Sequence, residues 1–510
     1  MKKINKADLT CLKILSDLAY SNPFSTERIE LESRALGKSF VADDGIAWSR
    51  NLRNEQTDRP NLQKIASMAS ELVQRMAYGA HNGQTFDGNS WGHYSDVVTY
   101  VLIYQHLVPL HPDELSKAAV ARKTYEAFQE SYQNLISVPG IEQISVQPPD
   151  HLFACLSQVH RAFYNIFYFI LGDSLPSVQL RRSVWESVFT NDMRRYQRTL
   201  FNRMSALPTL ITGPSGTGKE LVARAIGLSQ YLPFDAAKKC FAKNSHERFF
   251  PLNLSAMSET LIESELFGHR KGAFTGAVNN REGWLAKCQS HGAIFLDEIG
   301  ELAPSLQVKL LRVVQQRTYS PLGSTEAFRF DGKIIGATNR DMDAEISTGR
   351  FRADLYYRLC ADRIQTPSLY EQLQHQPEDL RSLIYYVCQR FVGDNGENND
   401  DAEGLTEQSL HWIEKNLGDT YRWSGNIREL EQCVSGIMIR GRYLPAGTVS
   451  IKDTHPSWVQ EAVKGELNAE QLLQNYCHWI YQKIGSYDGA ARHLGIDRRT
   501  VKAKIEAREA

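Results

Sequence analysis

One lysine, two adjacent carboxylates and a run of glycines carry the clearest chemistry in this chain. Gly213-Pro214-Ser215-Gly216-Thr217-Gly218-Lys219-Glu220 follows the apolar stretch 207–212 and precedes Leu221-Val222-Ala223-Arg224. Strand, glycine-rich loop and helix start in that order make an anion cradle. Glycines let backbone N–H groups converge on phosphate oxygens, and the helix N-terminus adds partial positive charge. Lys219 would neutralise the β- and γ-phosphates of a nucleotide. Glu220 stands where the general loop has a Ser or Thr whose hydroxyl holds magnesium. On its own, the loop also reads as an ordinary glycine-rich turn.

A second group lies 78 residues beyond Lys219, where Ala293-Ile294-Phe295-Leu296 ends in Asp297-Glu298. Carboxylates at the C-terminal end of a buried parallel strand sit where open α/β sheets bind ligands. Asp297 would organise Mg2+, and Glu298 would orient and deprotonate an attacking water. Taken alone, the pair equally reads as two exposed acids. A third run, 333–339, ends in Thr338-Asn339 and would bring both near the γ-phosphate.

These groups need a sheet to align them. Between about 186 and 366, short apolar runs ending in Gly, Asp or Asn alternate with amphipathic stretches, the pattern of a parallel sheet covered by helices. Residues 1–185 read differently. Leu62, Ile65, Ala69, Leu72, Val73 and Met76 fall on one helical face, and 151–171 is helical and rich in aromatics. Residues 367–445 read as a small helical bundle, interrupted by the acidic, Gly- and Asn-rich loop 393–404. A linker at 446–466 and a helical module at 467–510 complete the pattern.

Between the first and second groups lies Glu263-Ser-Glu-Leu-Phe-Gly-His-Arg-Lys, followed by Gly272-Ala273-Phe274-Thr275-Gly276-Ala277. The strings ESELFGH, GAFTGA and FLDEIGEL resemble the central domain of sigma-54-dependent activators, the bacterial enhancer-binding proteins. The resemblance continues through 307–312, Ala337-Thr338-Asn339-Arg340, 351–359 and 423–430. It implies an α/β AAA+ P-loop ATPase core with a helical lid, and a hexameric ring that binds ATP between subunits, with an inactive dimer as a further state. It implies that Glu220 is regular, because the family's loop also ends in Lys-Glu. Asn253 matches the asparagine that holds the catalytic glutamate away from water. Arg352 and Arg358 match arginines that a neighbouring subunit inserts toward the γ-phosphate, and Arg428 matches the sensor arginine of the lid. The family's partners are sigma-54 and the RNA polymerase holoenzyme, which Phe274 and Thr275 would touch.

The loop also has its own logic. Gly272 and Gly276 permit a tight hairpin, and an aromatic tip exposed on such a hairpin serves docking. Without the flanking strings, a core hairpin with a buried Phe274 reads better. Three features depart from the family pattern. The stretch 227–250 is long, Leu369-Tyr370-Glu371-Gln372 replaces a Leu-Arg-Glu-Arg-like sequence, and Ser424 replaces a proline. The second leaves lid and inter-subunit contacts open.

The C-terminal stretch 486–505 fits a helix-turn-helix that resembles the Fis-type domain of these activators, and 467–510 is expected to hold three helices. Ala490, Ala491 and Leu494 would pack the first helix, Gly495 would turn the chain, and Ile496 and Val501 would anchor the second. Asp497 would cap the recognition helix. Arg498, Arg499, Thr500, Lys502 and Lys504 would face double-stranded DNA at an upstream activating site. The same residues also suit a solvated charged helix.

Bulk composition limits the remaining readings. Lys plus Arg number 58 and Asp plus Glu 59, a net charge of −1, so any DNA contact must come from a local patch. Eight cysteines are scattered without C-x-x-C or zinc spacing, which favours reduced thiols in the cytoplasm. The start has basic residues but no long apolar stretch, and 162–171 is too short to span a bilayer, so neither a secretory signal nor a membrane span is expected. The histidines at 81, 93, 106, 111, 151 and 160 lack ligand spacing and read as structural. Residues 1–185 are expected to be a mostly helical regulatory domain answering an unidentified signal; no phosphate-receiver pattern is present. Two other classes stay open. A ligand-responsive DNA-binding repressor with an inactive nucleotide fold is disfavoured by Lys219, the Asp297-Glu298 pair and the paired arginines. A remodeller of another protein is disfavoured by the string GAFTGA.

Overall fold

Five short apolar segments pair side by side, all parallel, in the order Asp362–Gln365, Thr209–Thr212, Lys333–Thr338, Ala293–Asp297, Phe249–Asn253. Both faces are buried, so side chains alternate between two cores. Ile211, Ala293, Phe295, Ile335, Ala337 and Ile364 point to one. Leu210, Leu252, Ile294, Leu296 and Ile334 point to the other, against helices Pro304–Gln316 and Ala353–Leu359. The register sets Thr212 opposite both Thr338 and Gln365, and Asn253 opposite Asp297. The strand ends that carry polar groups therefore share one edge of the sheet.

This computed structural model describes residues 4–42, 60–242, 248–288, 290–392, 400–445, 458–463 and 465–509. Residues 243–247 of the long stretch after the loop helix, 393–399 of the acidic loop, and 446–457 and 464 of the linker lie outside the described residues. The chain forms two compact units, Met1–Ile439 and Arg440–Ala510.

Among the described residues, the N-terminal region forms seven longer helices: α1 (Lys6–Tyr20), α2 (Thr26–Leu36), α3 (Pro60–His81), α4 (Gly88–His106), α5 (Ala118–Ile136), α6 (Pro149–Phe169) and α7 (Leu175–Phe189). Of the face read from sequence, Ile65, Ala69, Leu72, Val73 and Met76 are buried, while Leu62 is half-buried. Helix α7 runs through residue 185, so the boundary drawn there falls inside a helix. The covered face of the sheet explains why. Ala162 and Ile166 of α6, and Val178 and Val184 of α7, share a core with the sheet and with Val222, Ala225 and Ile226 of the loop helix Lys219–Leu228.

Helix α6 also caps that loop helix. Arg161 donates to the carbonyls of Leu228 (3.0 Å) and Gln230 (2.7 Å), and Gln158 to that of Ser229 (2.9 Å). Terminal helix carbonyls lack partners within the helix, and a buried cation at that end suits its dipole. The long stretch after the loop helix folds into a small hairpin, Phe234–Asp235 with Cys240–Phe241. Phe234 stacks near Tyr125 of α5 and Phe153 of α6, with centroids 4.5 and 4.9 Å apart. The added residues are thus a clasp that holds the loop-helix side of the sheet to the N-terminal helices.

The lid comprises helices Leu369–His375, Asp379–Val392, Asp400–Asn416 and Asn426–Arg440. In the Arg440–Ala510 unit, helices Ala469–Ile484, Tyr487–Leu494 and Arg498–Glu509 surround Cys477, Ile480, Ala490, Ala491, Val501 and Ile505. Gly485 and Gly495 end the first two helices in the left-handed region, at φ 70° and 68°. Among the described residues, no helix is long and apolar enough to cross a membrane, and no group of three or more His, Cys, Asp or Glu residues could hold a metal ion.

Arg161→Ala leaves the Leu228 and Gln230 carbonyls without their donors. It is expected to cost about 1–3 kcal/mol in denaturant unfolding of the full chain, against no change for the exposed Arg182→Ala. Equal behaviour of the two variants would show that α6 does not hold the loop helix.

Candidate active site

The phosphate loop joins strand Thr209–Thr212 to helix Lys219–Leu228, and its shape depends on glycine at three places. Gly213, Gly216 and Gly218 have φ of 152°, 79° and 84°. A side chain on Gly213 would collide with Thr366, and one on Gly216 with the Gly425 carbonyl. Thr217 Oγ1 lies 2.6 Å from Thr366 Oγ1, which ties the loop to the segment leaving strand Asp362–Gln365. Lys219 is buried, and its Nζ donates to the carbonyls of Gly213 and Pro214, both at 3.0 Å. Burial lowers its pKa against the opposing pull of Glu298 and Asp297. Its neighbour Glu220 is exposed and pairs with Arg224 at 2.9 Å.

Across the edge stand the acids. Burial, reinforced by the Glu298 charge, raises the Asp297 pKa. Glu298 adopts a left-handed backbone at φ 55°, uncommon for a non-glycine residue and turned away from the strand direction. Its Oε2 accepts from the Asn339 N–H at 3.4 Å, so the third strand's end reaches the second strand's glutamate. Thr338 is fully buried, and its Oγ1 accepts from the Arg340 N–H at 3.1 Å. Asn253 stands beside Asp297 in register, yet its Oδ1 accepts from Ser255 N (3.0 Å) and Ser255 Oγ (2.8 Å). Its amide oxygen is thus taken by the following turn.

The lid closes over the loop through three contacts. Arg428 donates to Ser215 Oγ at 3.1 Å, Asn426 Nδ2 to the Ser215 carbonyl at 2.9 Å, and Ile427 N–H to the Gly216 carbonyl at 3.0 Å. Asn426 is buried at φ 53°, and its Oδ1 accepts from Leu369 N–H at 2.8 Å. Sequence reasoning named Arg428 and missed Asn426 and Thr366. The string Trp423-Ser-Gly-Asn426 signals a helix start, where Asn commonly serves the backbone. Nothing local marks Thr366, whose role depends on strand order. The departure at 369–372 is also explained. Gln372 is buried and accepts from Ser177 Oγ of α7 at 3.2 Å, while Asp379 accepts from the N–H groups of Asp173 (2.7 Å) and Ser174 (2.9 Å). The lid leans on the N-terminal helices at a place where the family pattern has a charged residue.

Arg352 and Arg358 sit exposed at the two ends of helix Ala353–Leu359, and Arg352 forks Asp354 at 2.7 and 3.0 Å. The GAFTGA segment caps an antiparallel pair, Gly268–His269 with Arg281–Glu282. Gly272 N–H donates to the Ala277 carbonyl at 2.8 Å, and Gly272 and Gly276 have φ of 83° and 102°. The exposed aromatic tip read from sequence is not what forms. Phe274 is half-buried, edge-on to His269 at 5.0 Å. Gly272, Thr275 and Gly276 are exposed, as is Val278 just beyond the segment; Ala277 is buried and Ala273 half-buried. Leu322 braces the base, accepting from Arg270 N–H and donating to the Gly268 carbonyl.

In the C-terminal unit, Arg498, Arg499, Thr500 and Lys502 are exposed, and Asp497 Oδ1 caps the last helix through Arg499 N–H at 2.8 Å. Lys504 differs: it is half-buried and pairs with Glu470 of helix Ala469–Ile484. It lies three residues after the core residue Val501, so the helical period turns it toward the domain's own first helix.

The Sigma-54 interaction domain family matches residues 187–365. Transcriptional regulatory protein ZraR of Klebsiella oxytoca is 39% identical over 302 residues, covering 58% of this chain and 62% of that protein. The Nif-specific regulatory protein of Azotobacter vinelandii is 38% identical over 310 residues, covering 58% and 53%. Regulatory protein AtoC of Escherichia coli is 32% identical over 340 residues, covering 63% of this chain and 68% of its own length. The chain belongs to the sigma-54-dependent activators. Its match spans less than two thirds of the ZraR and Nif-specific proteins. Among solved structures, NtrX from Brucella abortus in complex with ATP aligns at 21% identity and TM-score 0.41, over 77% of this chain and 86% of that one. As a member of the family, this activator has an AAA+ α/β core, a helical N-terminal region and C-terminal helices.

Asn426 bridges loop and lid, so Asn426→Ala is expected to raise amide hydrogen exchange in both 213–218 and 426–440 by at least about tenfold, the loss of roughly 1–2 kcal/mol of local stability. Exchange unchanged in either segment would deny the bridge.

Proposed function

We propose that this chain hydrolyses ATP as a hexameric ring and uses the cycle to remodel sigma-54 RNA polymerase holoenzyme from a closed to an open complex. The observation that carries this reading is the convergence of Lys219, Asp297, Glu298 and Asn339 on one sheet edge. The GAFTGA segment lies in the connection between strands Phe249–Asn253 and Ala293–Asp297 of that sheet. The glycine-shaped loop fits a triphosphate: residues 213–218 present backbone N–H groups, and Lys219 places its charge beside them. Asp297, with Thr338 and Asn339 nearby, suits Mg2+, which when bound supplies charge neutralisation for the phosphates. Glu298, held by the Asn339 N–H, takes the proton of the attacking water. Asn253 would restrain Glu298 through Nδ2, the donor end of its amide, while Oδ1 stays on the Ser255 turn. Arg428 and Asn426 carry the lid's response to the nucleotide. Exposed Arg352 and Arg358 reach a neighbouring protomer's site and stabilise charge on the transferring phosphoryl.

Residues 272–277 contact sigma-54, led by Thr275, while Phe274 must leave His269 to join. The C-terminal unit reads upstream double-stranded DNA through Arg498, Arg499, Thr500 and Lys502, whereas Lys504 supports the helix rather than the groove. The helical N-terminal region receives the controlling signal, in the cytoplasm.

Lys219→Ala and Glu298→Gln are expected to lower ATP turnover by at least about 10²-fold. Thr275→Ala is expected to keep turnover and lose open-complex formation on a sigma-54 promoter. Variants that retain both activities would reject the reading. The Asp297 carboxylate must be charged to act. Burial beside Glu298 raises its pKa in the metal-free chain. Without Mg2+ the Asp297 carboxyl should therefore titrate above the ordinary aspartate range by carbon NMR, and a value at or below that range would contradict the geometry.

A further inference from the structure

The N-terminal helices enclose a cleft of about 400 Å³ between α1, α4 and the segment 194–198. That volume suits a small molecule. Its polar wall carries Asp17, Asp96, Arg194 and Arg198, and its apolar wall Val98, Ile144, Val146 and Leu152. One guanidinium serves two carboxylates. Arg194 Nε lies 3.0 Å from Asp96, its Nη2 lies 3.5 Å from Asp17, and it covers the Tyr20 ring at 4.7 Å. Gly88 and Gly92 keep the α4 side open: a Cβ at either meets nothing within 4 Å.

The walls restrict the occupant. A simple anion would meet two carboxylates, a simple cation two guanidiniums, and a purely apolar molecule would strip four charges of water without replacing it. A molecule with an ammonium and a carboxylate satisfies both sets, and an apolar side chain would cover Val98, Ile144 and Leu152.

The cleft also touches the machinery. Its wall residues Arg194, Gln197 and Arg198 lie just before strand Thr209–Thr212, and Tyr196–Leu200 is a π-helical turn, an irregularity frequent at functional sites. Tyr20 donates to Gln197 Oε1 at 3.0 Å. On the reverse side, Tyr196 donates to Gln158 Oε1 at 2.7 Å, and Gln158 donates to the Ser229 carbonyl behind the loop helix at 2.9 Å. A ligand that moves Arg194 or Gln197 moves the backbone of Tyr196, and so the support of the loop helix.

We propose that this cleft binds an amphipathic zwitterion of amino-acid or dipeptide size, and that its occupancy controls ATP turnover; the second half rests on the ATPase reading above. The test is titration calorimetry on the full chain with the twenty L-amino acids and dipeptides of apolar residues. At least one is expected to bind the native chain. Its affinity should fall at least tenfold in Gly92→Phe, which fills the cleft, and in Asp17→Asn, which alters only its rim. The same compound should change ATP turnover of the native chain and not of Gly92→Phe. No binding by any member of the panel, or equal binding by the filled variant, would overturn the site. Binding that leaves turnover unmoved would overturn the control. A chain that binds the compound but never hydrolyses ATP would sink the ATPase reading and leave the cleft assigned.

Discussion

The register of one parallel sheet governs everything else in this molecule. Thr212, Thr338 and Asp297 end neighbouring strands at the same edge because Thr209–Thr212, Lys333–Thr338 and Ala293–Asp297 pair in fixed register. A slip of one residue would exchange the two buried cores and turn each terminal polar group to the wrong side. The alternating apolar residues that fill those cores therefore also fix the distances among lysine, acids and asparagine. The geometry of the proposed active site is a by-product of burial.

The edge is supported from both sides by residues outside the sheet. The lid reaches the phosphate loop through Asn426 and Arg428, and the N-terminal helices reach the loop helix through Gln158 and Arg161. The same helices hold the lid through Ser177 and the 173–174 backbone. A rearrangement among α6, α7 and the segment between them thus bears on both halves of the proposed nucleotide site. That arrangement gives physical content to the proposed regulation from the N-terminus, because the contacts are few, polar and mostly shielded from solvent. Loss of one leaves an unsatisfied group rather than a gradual loosening.

Most of this framework was legible in the residues. Periodicity gave the helical N-terminal region, and apolar runs ending in polar residues gave the strands and the positions of Lys219, Asp297 and Glu298. The string at 272–277 pointed to its family without any structure. What sequence could not show depends on contacts far apart along the chain. Thr366 matters because its strand lies beside Thr209–Thr212, a fact of strand order. Phe274 packs edge-on to His269 five residues earlier in the chain, and Lys504 turned toward Glu470 because the helix phase is set by Val501 and Ile505. The boundary drawn at 185 fell within α7, since composition changes there while packing does not.

The most direct measurement is binding of labelled sigma-54 to the full chain in ADP, and in ADP with aluminium fluoride as a mimic of the transferring phosphoryl. Fluorescence anisotropy would follow it. Coupling between the sheet edge and residues 272–277 requires tight binding in the mimic state, weak binding in ADP, and loss of the difference in Thr275→Ala. Equal binding in both states, or none in either, would contradict a nucleotide-gated contact.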